Sequence, residues 1–553
     1  MNKQLMRTIS KKTALVIFTV LLGCNAVRSQ SGSSAVRLVK GNHFAQLTID
    51  NRPFLILGGE LGNSSASSME YMRPYWSHLR QMHLNTVIAP IYWELLEPEE
   101  GRFDFALVDS LIKEARRYDL KLVLLWFGTW KNSMSCYAPV WMKTNPKRFA
   151  ATADSAGRRQ EIFSALGKET VEADKKAFAS LMAHIRETDA ASRTVIMVQV
   201  ENEIGMLSTA REVSGKADAL YKGRIPEELA GYLKKNKDRL VPELRSRWEK
   251  NGYKTEGNWE SVFGKGIETD EIFQAWHYAR YANEVAVAGK KEYDLPMYVN
   301  AALPRPGVLP GRYPSAGPLP HLMDIWQAAA PAIDVFSPDF YNPDTKYWCD
   351  LYVRNQNPLF IPEMKFDKTV AAKTFLVVGH YKALGFSPFS IESASDASLP
   401  LSKSYEVLQQ LGPVITGRKW LDMDGFVFDN KSRTYTIKMG NYQITLSHYN
   451  ILPWAEGGKD SVWSTSGGII IQTGADEFLI AGTGFVTTFT NIDPGKVTNI
   501  ASSDEVRYTS EGTEIKGRRM NGDQDHQGRH IRFSTDEWGI QKVKLYNNPK
   551  EIE

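Results

Sequence analysis

Two glutamates each follow a run of apolar residues that is typical of a buried strand. Glu203 lies in residues 194–205 (TVIMVQVENEIG), and Glu363 lies in residues 360–365 (FIPEMK). A carboxyl group in a semi-apolar cleft has a raised pKa and can protonate a leaving-group oxygen. Two such groups across a cleft predict glycoside hydrolysis, and a separation of about 5–5.5 Å predicts a retaining enzyme. The plainer interpretations are that Glu203 simply reaches solvent and that Glu363 pairs with Lys365.

Glu60 and Glu201 are further acidic residues at predicted strand ends. Glu60 could bind a sugar hydroxyl or pair with a cation of the barrel floor. Glu201 lies two residues before Glu203, so a plain strand would place both side chains on one face. A bulge near Asn202 would let Asn202 and Glu203 face the cleft together. Glu201 is then expected to be a structural hydrogen-bond acceptor.

Two further acidic residues and one aromatic residue are also candidates. Asp339, after the sixth predicted strand, and Glu392, after the eighth, are alternatives to Glu363 as a catalytic carboxylate. Sugar sites need flat apolar faces with a polar tip, which Trp and Tyr supply. Trp130, in a predicted loop with Asn132 nearby, is the candidate platform for a sugar ring, whereas core packing is the better interpretation of most other Trp residues.

The elements that must position these residues are eight short apolar runs separated by helical patterns. Strands that are apolar throughout indicate burial on both faces and hence a parallel sheet. Eight such units predict an α/β fold of the closed (β/α)8 barrel type, whose active site lies at the carboxyl ends of the strands. The predicted strands are residues 54–59, 86–92, 121–127, 194–200, 297–301, 333–337, 359–362 and 386–391.

The domain organisation follows from changes in pattern along the chain. Residues 30–415 are predicted to form the barrel, which opens with a hairpin over residues 36–50 and carries a helical insertion at about 206–290. After that point short strands and turn residues dominate. Residues 416–553 are therefore predicted to form an all-β sandwich domain.

The first 29 residues resemble a secretion signal. Lys3, Arg7, Lys11 and Lys12 precede ten apolar residues, a stretch too short to span a membrane. Cys24 stands in a lipobox-like context, and cleavage before Gln30 is an equal alternative. We therefore expect an exported protein, periplasmic or outer-membrane-associated in a Gram-negative bacterium, that touches the membrane only through a possible lipid anchor at Cys24.

Charge and cysteine content exclude several classes of protein. The formal net charge is +4, and removal of the five cations of the leader leaves about −1, so nucleic-acid binding is not predicted. The Cys and His residues show no metal-ligand spacing. No metal or organic cofactor is expected. Whether Cys136 and Cys349 pair is left open by the sequence.

The run VQVENEIG resembles the acid/base motif of glycoside hydrolase family 35, the β-galactosidases. Residues 51–60 (NRPFLILGGE) are similar to the first-strand pattern of that family, and residues 84–105 are similar to its second-strand block. Residues 139–142 (PVWM) fit the segment after the third strand. The resemblance covers residues 45–205 well and the rest of the barrel weakly.

The resemblance implies roles for five residues. Glu203 would be the general acid/base, and Asn202 would bind the sugar hydroxyl next to the anomeric carbon. Glu363 would be the nucleophile. Tyr92 would contact the sugar, and Tyr341 would hydrogen-bond to the nucleophile and hold it ionised.

The sequence also departs from the family. An Asn-Ala-Glu-like trio is usual after the third strand, but residues 126–133 read WFGTWKNS. The continuation of the nucleophile motif, residues 364–367, reads MKFD, and residues 61–63 read LGN where the family has a His-Tyr loop. These departures leave the two-glutamate chemistry intact and leave the sugar open.

Together these features predict a retaining, exo-acting β-glycosidase. The first expectation is a β-galactosidase that releases terminal galactosyl residues from oligosaccharide or polysaccharide side chains, with plant hemicellulose fragments as possible substrates by the habit of the family. One alternative is a β-glycosidase of another sugar specificity. The other is a catalytically inactive surface glycan-binding protein, which would have no need for two carboxylates at these strand ends.

Overall fold

The computed structural model describes residues 35–41, 45–394, 398–429 and 432–550. The predicted leader, residues 1–29 with Cys24, lies outside the described residues. The predicted amino-terminal hairpin is present: Val36–Lys40 pairs antiparallel with Ala45–Ile49, which pairs in turn with Arg52–Phe54.

Eight parallel strands form a closed barrel, as the alternation of apolar runs predicts. The strands are β1 (Ile56–Glu60), β2 (Thr86–Tyr92), β3 (Lys121–Lys131), β4 (Val195–Asn202), β5 (Met297–Ala302), β6 (Val335–Phe340), β7 (Ile361–Met364) and β8 (Gly385–Pro388). The barrel closes because β8 pairs with β1, while β4 pairs with both β3 and β5. Every residue of β2 is buried, which explains why the strand is apolar throughout.

Helices separate these strands along the chain. Two short helices after β1, Met69–Met72 and Tyr75–Gln81, are separated near Pro74, which lacks a backbone N–H and is the N-cap of the second helix. A small hairpin, Ala151–Ala153 with Arg159–Phe163, follows β3. The described helices are Met69–Met72, Tyr75–Gln81, Trp93–Leu96, Ala106–Arg117, Val140–Lys143, Lys168–Asp189, Gly215–Lys222, Glu227–Asn236, Pro242–Lys250, Trp259–Phe263, Ile267–Glu292, Met323–Ala329, Thr345–Tyr352, Val370–Gly379 and Ser398–Gly417.

The helical segment predicted as an insertion at about 206–290 has two parts. Its last helix, Ile267–Glu292, packs against Lys168–Asp189 and leads directly into β5, so it is the barrel's own helix between β4 and β5. The helices from Gly215 to Phe263 are the additional material. The boundary of the insertion therefore lies near residue 266, because the long helix buries most of its length in the barrel core.

The carboxyl-terminal region is a β-sandwich that packs on the barrel. Its strands are β9 (Asp422–Phe428), β10 (Thr434–Met439), β11 (Tyr442–His448), β12 (Ser466–Gly474), β13 (Glu477–Thr483), β14 (Phe485–Asn491), β15 (Lys496–Tyr508), β16 (Glu514–Arg519), β17 (Ile531–Phe533) and β18 (Gly539–Pro549). The six-stranded sheet has the order β9-β12-β13-β18-β15-β16, and the four-stranded sheet has the order β10-β11-β14-β17.

The six-stranded sheet has two apolar faces: one packs against the four-stranded sheet and the other against the barrel. Ile470 of β12 lies in the core between the two sheets, whereas its neighbours Ile469 and Ile471 belong to the core shared with the barrel. This division follows from the two-residue period of a strand. Helix Val370–Gly379 lies against the outer face. A Cβ atom on Gly379 would stand 2.7 Å from the Cα atom of Gly425, so this close approach requires glycine.

Cys136 is exposed, Cys349 is buried, and both are free thiols. Within the described residues, no helix has the length and apolar character needed to cross a membrane.

Candidate active site

Four buried carboxyl groups lie at the carboxyl ends of the barrel strands. Glu60 ends β1, Glu203 follows β4, Asp339 is near the end of β6, and Glu363 is near the end of β7. Each residue is at most 5% exposed. Asp339 and Glu363 are direct partners in the pairing of β6 with β7. The parallel barrel thus brings together acidic residues that are distant in sequence.

The backbone around Glu203 leaves the regular strand conformation. Glu201 has a φ of 61° and Glu203 a φ of 44°, both in the left-handed region that residues other than glycine rarely adopt. The Glu203 backbone N–H donates to the side-chain oxygen of Asn300 at 2.8 Å. The Glu201 carboxylate instead accepts a 2.7 Å hydrogen bond from the backbone N–H of Trp130. The two glutamates therefore have different surroundings despite their spacing.

Glu363 accepts hydrogen bonds from two neighbouring side chains, Tyr341 and Glu60. The Tyr341 hydroxyl donates to its Oε1 atom. Burial and then the charge of Glu203 raise the pKa of Glu363 to about 7, while hydrogen bonds from Tyr341 and Glu60 and the charge of Lys131 oppose that rise. Each of these opposing contacts favours the ionised carboxylate.

Glu60 supplies one of those donors. Burial, followed by the charge of Glu363, raises the pKa of Glu60 well above its usual range. A raised pKa favours the protonated carboxyl group, which can donate a hydrogen bond. The hydrogen bond with Glu60 favours the ionised form of Glu363.

Asp339 shares a hydrogen bond with Glu203, as Glu60 does with Glu363. Burial, followed by the charges of Glu363 and Glu203, raises the pKa of Asp339 well above its usual range. Asn300 donates from Nδ2 to Asp339 Oδ2 at 2.5 Å. Burial also raises the pKa of Glu203, although Lys131 and the hydrogen bond with Asp339 oppose the rise. The Oε2 atom of Glu203 is buried, and no amide, hydroxyl or ammonium donor of the described residues reaches it.

Lys131, the last residue of β3, is a site residue that the sequence reasoning missed. It is 6% exposed, and its ammonium group donates to the side-chain oxygen of Asn132 and lies 5.3 Å from the ring centroid of Phe127. Its positive charge lowers the pKa values of Glu60, Glu203 and Glu363. A lysine at the end of an otherwise apolar strand is unusual enough to have marked it in the sequence.

Asn202 and Ser133 present unsatisfied polar groups next to Glu203. Both are buried, and neither the amide of Asn202 nor the hydroxyl of Ser133 has a hydrogen-bond partner among the described residues. The backbone N–H groups of Asn132 and Ser133 donate to the carbonyls of Asn202 and Glu203, each at 3.2 Å. Buried polar groups normally find partners, so this arrangement suits a ligand that carries hydroxyl groups.

The structure does not place Trp130 where the sequence reasoning expects it. Trp130 is 0% exposed, its indole N–H donates to the carbonyl of Phe163 at 3.2 Å, and its ring makes an edge contact with Tyr281 at 4.6 Å. Its neighbour Asn132 is exposed. The expectation of a sugar platform at Trp130 is corrected, because packing in the core leaves no ring face free.

Tyr92 and Glu392 contact the loop after β1. The Tyr92 hydroxyl donates to the carbonyl of Asn63 at 2.7 Å, and its ring lies 5.8 Å from Phe127. Glu392 accepts a 3.0 Å hydrogen bond from the backbone N–H of Gly62. Glu392 thus holds the rim of the barrel in place and is not grouped with the four carboxyl groups.

A cavity of about 360 Å³ opens beside Tyr341. Aromatic rings of Phe366 and Phe389 line it together with the polar side chains of Lys365 and Ser390. Mixed apolar and polar walls of this kind are typical of small-ligand sites. Tyr341 lines this cavity and also donates a hydrogen bond to Glu363. The described residues contain no cluster of His, Cys, Asp and Glu suited to a metal ion.

Two family models match the chain. A model described as beta-galactosidase, glycoside hydrolase 42, matches residues 67–263, and a domain of unknown function, DUF5597, matches residues 401–532. The beta-galactosidase of Xanthomonas manihotis is 26% identical over 192 residues, which cover 33% of this chain and 29% of that protein. Beta-galactosidase-1-like protein 3 of Homo sapiens is 28% identical over 165 residues, covering 29% of this chain and 23% of that protein.

The crystal structure of beta-galactosidase from Bacillus circulans sp. alkalophilus aligns with 65% of this chain and 57% of its own, at 14% identity and a TM-score of 0.46. The chain spans less than a third of the length of the curated relatives it matches. The matched part of the barrel is β-galactosidase-like in sequence, and the matches do not single out family 35.

Proposed function

We propose that this protein is a retaining, exo-acting β-galactosidase that releases terminal galactosyl residues from oligosaccharide or polysaccharide side chains. The observation that carries the proposal is the contrast between two buried carboxyl groups. Each glutamate shares a hydrogen bond with a second carboxyl group, Glu60 or Asp339. Glu363 also accepts from the Tyr341 hydroxyl, whereas Glu203 keeps one buried oxygen that no hydroxyl or amide donor of the described residues reaches. The first environment suits an ionised nucleophile, and the second suits a proton donor.

The reaction proceeds by double displacement in this proposal. Glu363 attacks the anomeric carbon while Glu203 transfers its proton to the leaving oxygen, and a glycosyl–enzyme ester forms. Glu203, now ionised, takes a proton from water, and the resulting attack breaks the ester and returns Glu363 as a carboxylate. Lys131 favours the ionised form of both glutamates, since its charge lowers their pKa values.

The sugar is held, in this proposal, by polar groups around Glu203. Asn202 binds the hydroxyl next to the anomeric carbon through its unpartnered amide. Asn132 and Ser133 take further hydroxyls from the side of β3. Tyr341 lies between the cavity and the nucleophile and contacts the bound ring.

We propose that the barrel belongs to a divergent branch of family 35, although the matched family model is that of glycoside hydrolase 42. Support comes from the motif around Glu203 and from sequence similarity to a β-galactosidase over 192 residues. Plant hemicellulose fragments are the proposed substrates, and residues 1–29 are proposed to direct export, either to the periplasm or to the outer membrane through a lipid at Cys24.

One observation favours a different sugar. Lys131 places a cation beside the carboxyl groups in the segment where the family's Asn-Ala-Glu trio is absent. A lysine and an asparagine offer a different set of donors and acceptors from that trio. The second candidate is therefore a β-glycosidase of the same mechanism with another sugar specificity.

Hydrolysis of a panel of aryl β-glycosides by the leaderless protein tests both candidates. Release from the β-galactoside, lost in Glu203→Gln and Glu363→Gln, supports the proposal. Release from another glycoside, equally lost in both variants, supports the second candidate. Activity that survives both substitutions would reject the two-glutamate mechanism. NMR of the first product anomer tests retention, since an inverted product contradicts a glycosyl–enzyme intermediate.

A further inference from the structure

The carboxyl-terminal domain carries an aromatic cluster at its surface. Trp454 is 48% exposed, and its ring centroid lies 5.2 Å from that of His526 and 6.3 Å from that of His530. The two histidine rings are stacked on each other at 5.4 Å and 7°. The guanidinium group of Arg532 lies 5.7 Å from the Trp454 ring centroid. We call these four residues the Trp454 platform.

About half of the Trp454 side chain is exposed to solvent. His530 and Arg532 are two residues apart at strand β17, and this spacing places both side chains on one face of the sheet. Trp454 contacts both of them, and its side chain stays 48% exposed. An exposed indole ring bordered by polar groups is suited to the apolar face of a sugar ring.

Two buried polar atoms at the base of the platform lack partners. His530 Nε2 and Asp525 Oδ2 have no hydrogen-bond partner among the described residues, although both residues are more than nine-tenths buried. An unpartnered buried polar group carries a desolvation cost that a ligand hydroxyl can remove. Burial, with the charge of Arg532 as the next cause, lowers the pKa of His530 to about 4, so the imidazole is neutral at neutral pH. A neutral imidazole can both donate and accept a hydrogen bond.

We propose that the Trp454 platform is a carbohydrate-binding site that holds a sugar ring of a polysaccharide chain by stacking on Trp454, with the unpartnered Nε2 atom of His530 as a hydrogen-bond partner for a ring hydroxyl. This site lies in the part of the chain that matches a domain of unknown function and is separate from the four carboxyl groups. It requires no bond cleavage, so it goes beyond the proposed function. It would retain the protein on a polymer.

Affinity electrophoresis in native gels that contain xyloglucan or β-galactan tests the proposal, with dextran gels as the reference. The full chain carries Glu203→Gln in these gels so that the polymer stays intact. We expect retardation in at least one β-linked polymer, and Trp454→Ala should weaken the apparent affinity about tenfold, as the loss of one stacking contact implies. Trp454→Phe, which keeps a ring, should weaken it less.

Tyr546→Ala is the matched control, because Tyr546 is a similarly exposed aromatic residue (46%) of the same domain outside the platform. It should leave retardation unchanged. The proposal is overturned if the parent protein is not retarded by either polymer, or if Trp454→Ala is retarded as strongly as its parent. Hydrolysis of a small aryl glycoside by Trp454→Ala with an intact Glu203 should equal that of the unsubstituted protein, so a failure of the platform and a failure of the proposed catalysis give different results.

Discussion

The hydroxyl of Tyr341, at the rim of the barrel, donates a hydrogen bond to the buried carboxylate of Glu363. Tyr341 is half exposed and lines the cavity, whereas Glu363 is almost completely buried. The hydrogen bond therefore connects a residue of the cavity wall to a buried carboxyl group. It opposes the rise in the pKa of Glu363 that burial and the charge of Glu203 produce.

Tyr341→Phe should move the acidic limb of the kcat/KM profile to higher pH. Glu363 acts as a carboxylate, and its pKa is raised to about 7, so activity is lost as the pH falls through that value. Removal of the donor raises the pKa further, and activity is then lost at a higher pH. A hydrogen bond to a charged group contributes about 1.5–3 kcal/mol, which predicts a loss of roughly 10- to 100-fold near pH 7. Tyr347→Phe, another exposed tyrosine, should leave the profile unchanged. An unshifted profile in Tyr341→Phe would contradict this account of the contact.

Glu203→Gln and Glu363→Gln should respond differently to the leaving group. Without its general acid, Glu203→Gln should lose about 10²- to 10⁴-fold on substrates with poor leaving groups and much less in the first step on a dinitrophenyl glycoside. Glu363→Gln should lose activity on both kinds of substrate, because no ester can form. Burst kinetics measure the first step. Equal losses on the two substrates in Glu203→Gln would remove it from the role of proton donor.

Lys131→Met should shift the acidic limb of the profile in the same direction as Tyr341→Phe. The ammonium group lowers the pKa values of Glu60, Glu203 and Glu363, so its removal raises all three. Lys131→Arg keeps the charge and should keep the position of the limb, whatever happens to the rate. A Met variant with the parent's pH profile would show that Lys131 acts only as a packing residue.

Ile470→Ala should destabilise the carboxyl-terminal sandwich. Ile470 is completely buried between the two sheets, and the loss of a buried isoleucine costs about 2–5 kcal/mol. Ile515→Ala provides the control, because Ile515 is half exposed and should change stability by about 0.5 kcal/mol or less. Urea denaturation followed by tryptophan fluorescence measures both. Equal midpoints for the two variants would mean that the sandwich core does not contribute to the cooperative unit.

The barrel could be predicted from the sequence because strands buried on both faces leave a continuous apolar run, and each of the eight predicted runs overlaps a barrel strand. The individual strands of the carboxyl-terminal sandwich are harder to predict, since mixed polar and apolar residues in β15 and β18 resemble a loop when the neighbouring strand is unknown. Pairing of β15 with β18 supplies the hydrogen bonds that a single-sequence pattern does not contain.

The amino-acid sequence by itself determined which acidic residues end apolar strands, and it therefore placed Glu203 and Glu363 at one end of the barrel. Only the tertiary structure decided how those groups are partnered. The raised pKa values of Glu60 and Asp339, the position of the Lys131 cation and the burial of Trp130 depend on contacts between strands that are far apart in sequence. The physical reason is that a carboxyl group's ionisation is set by its solvent exposure and by the charges and donors around it, and these arise only when the barrel closes.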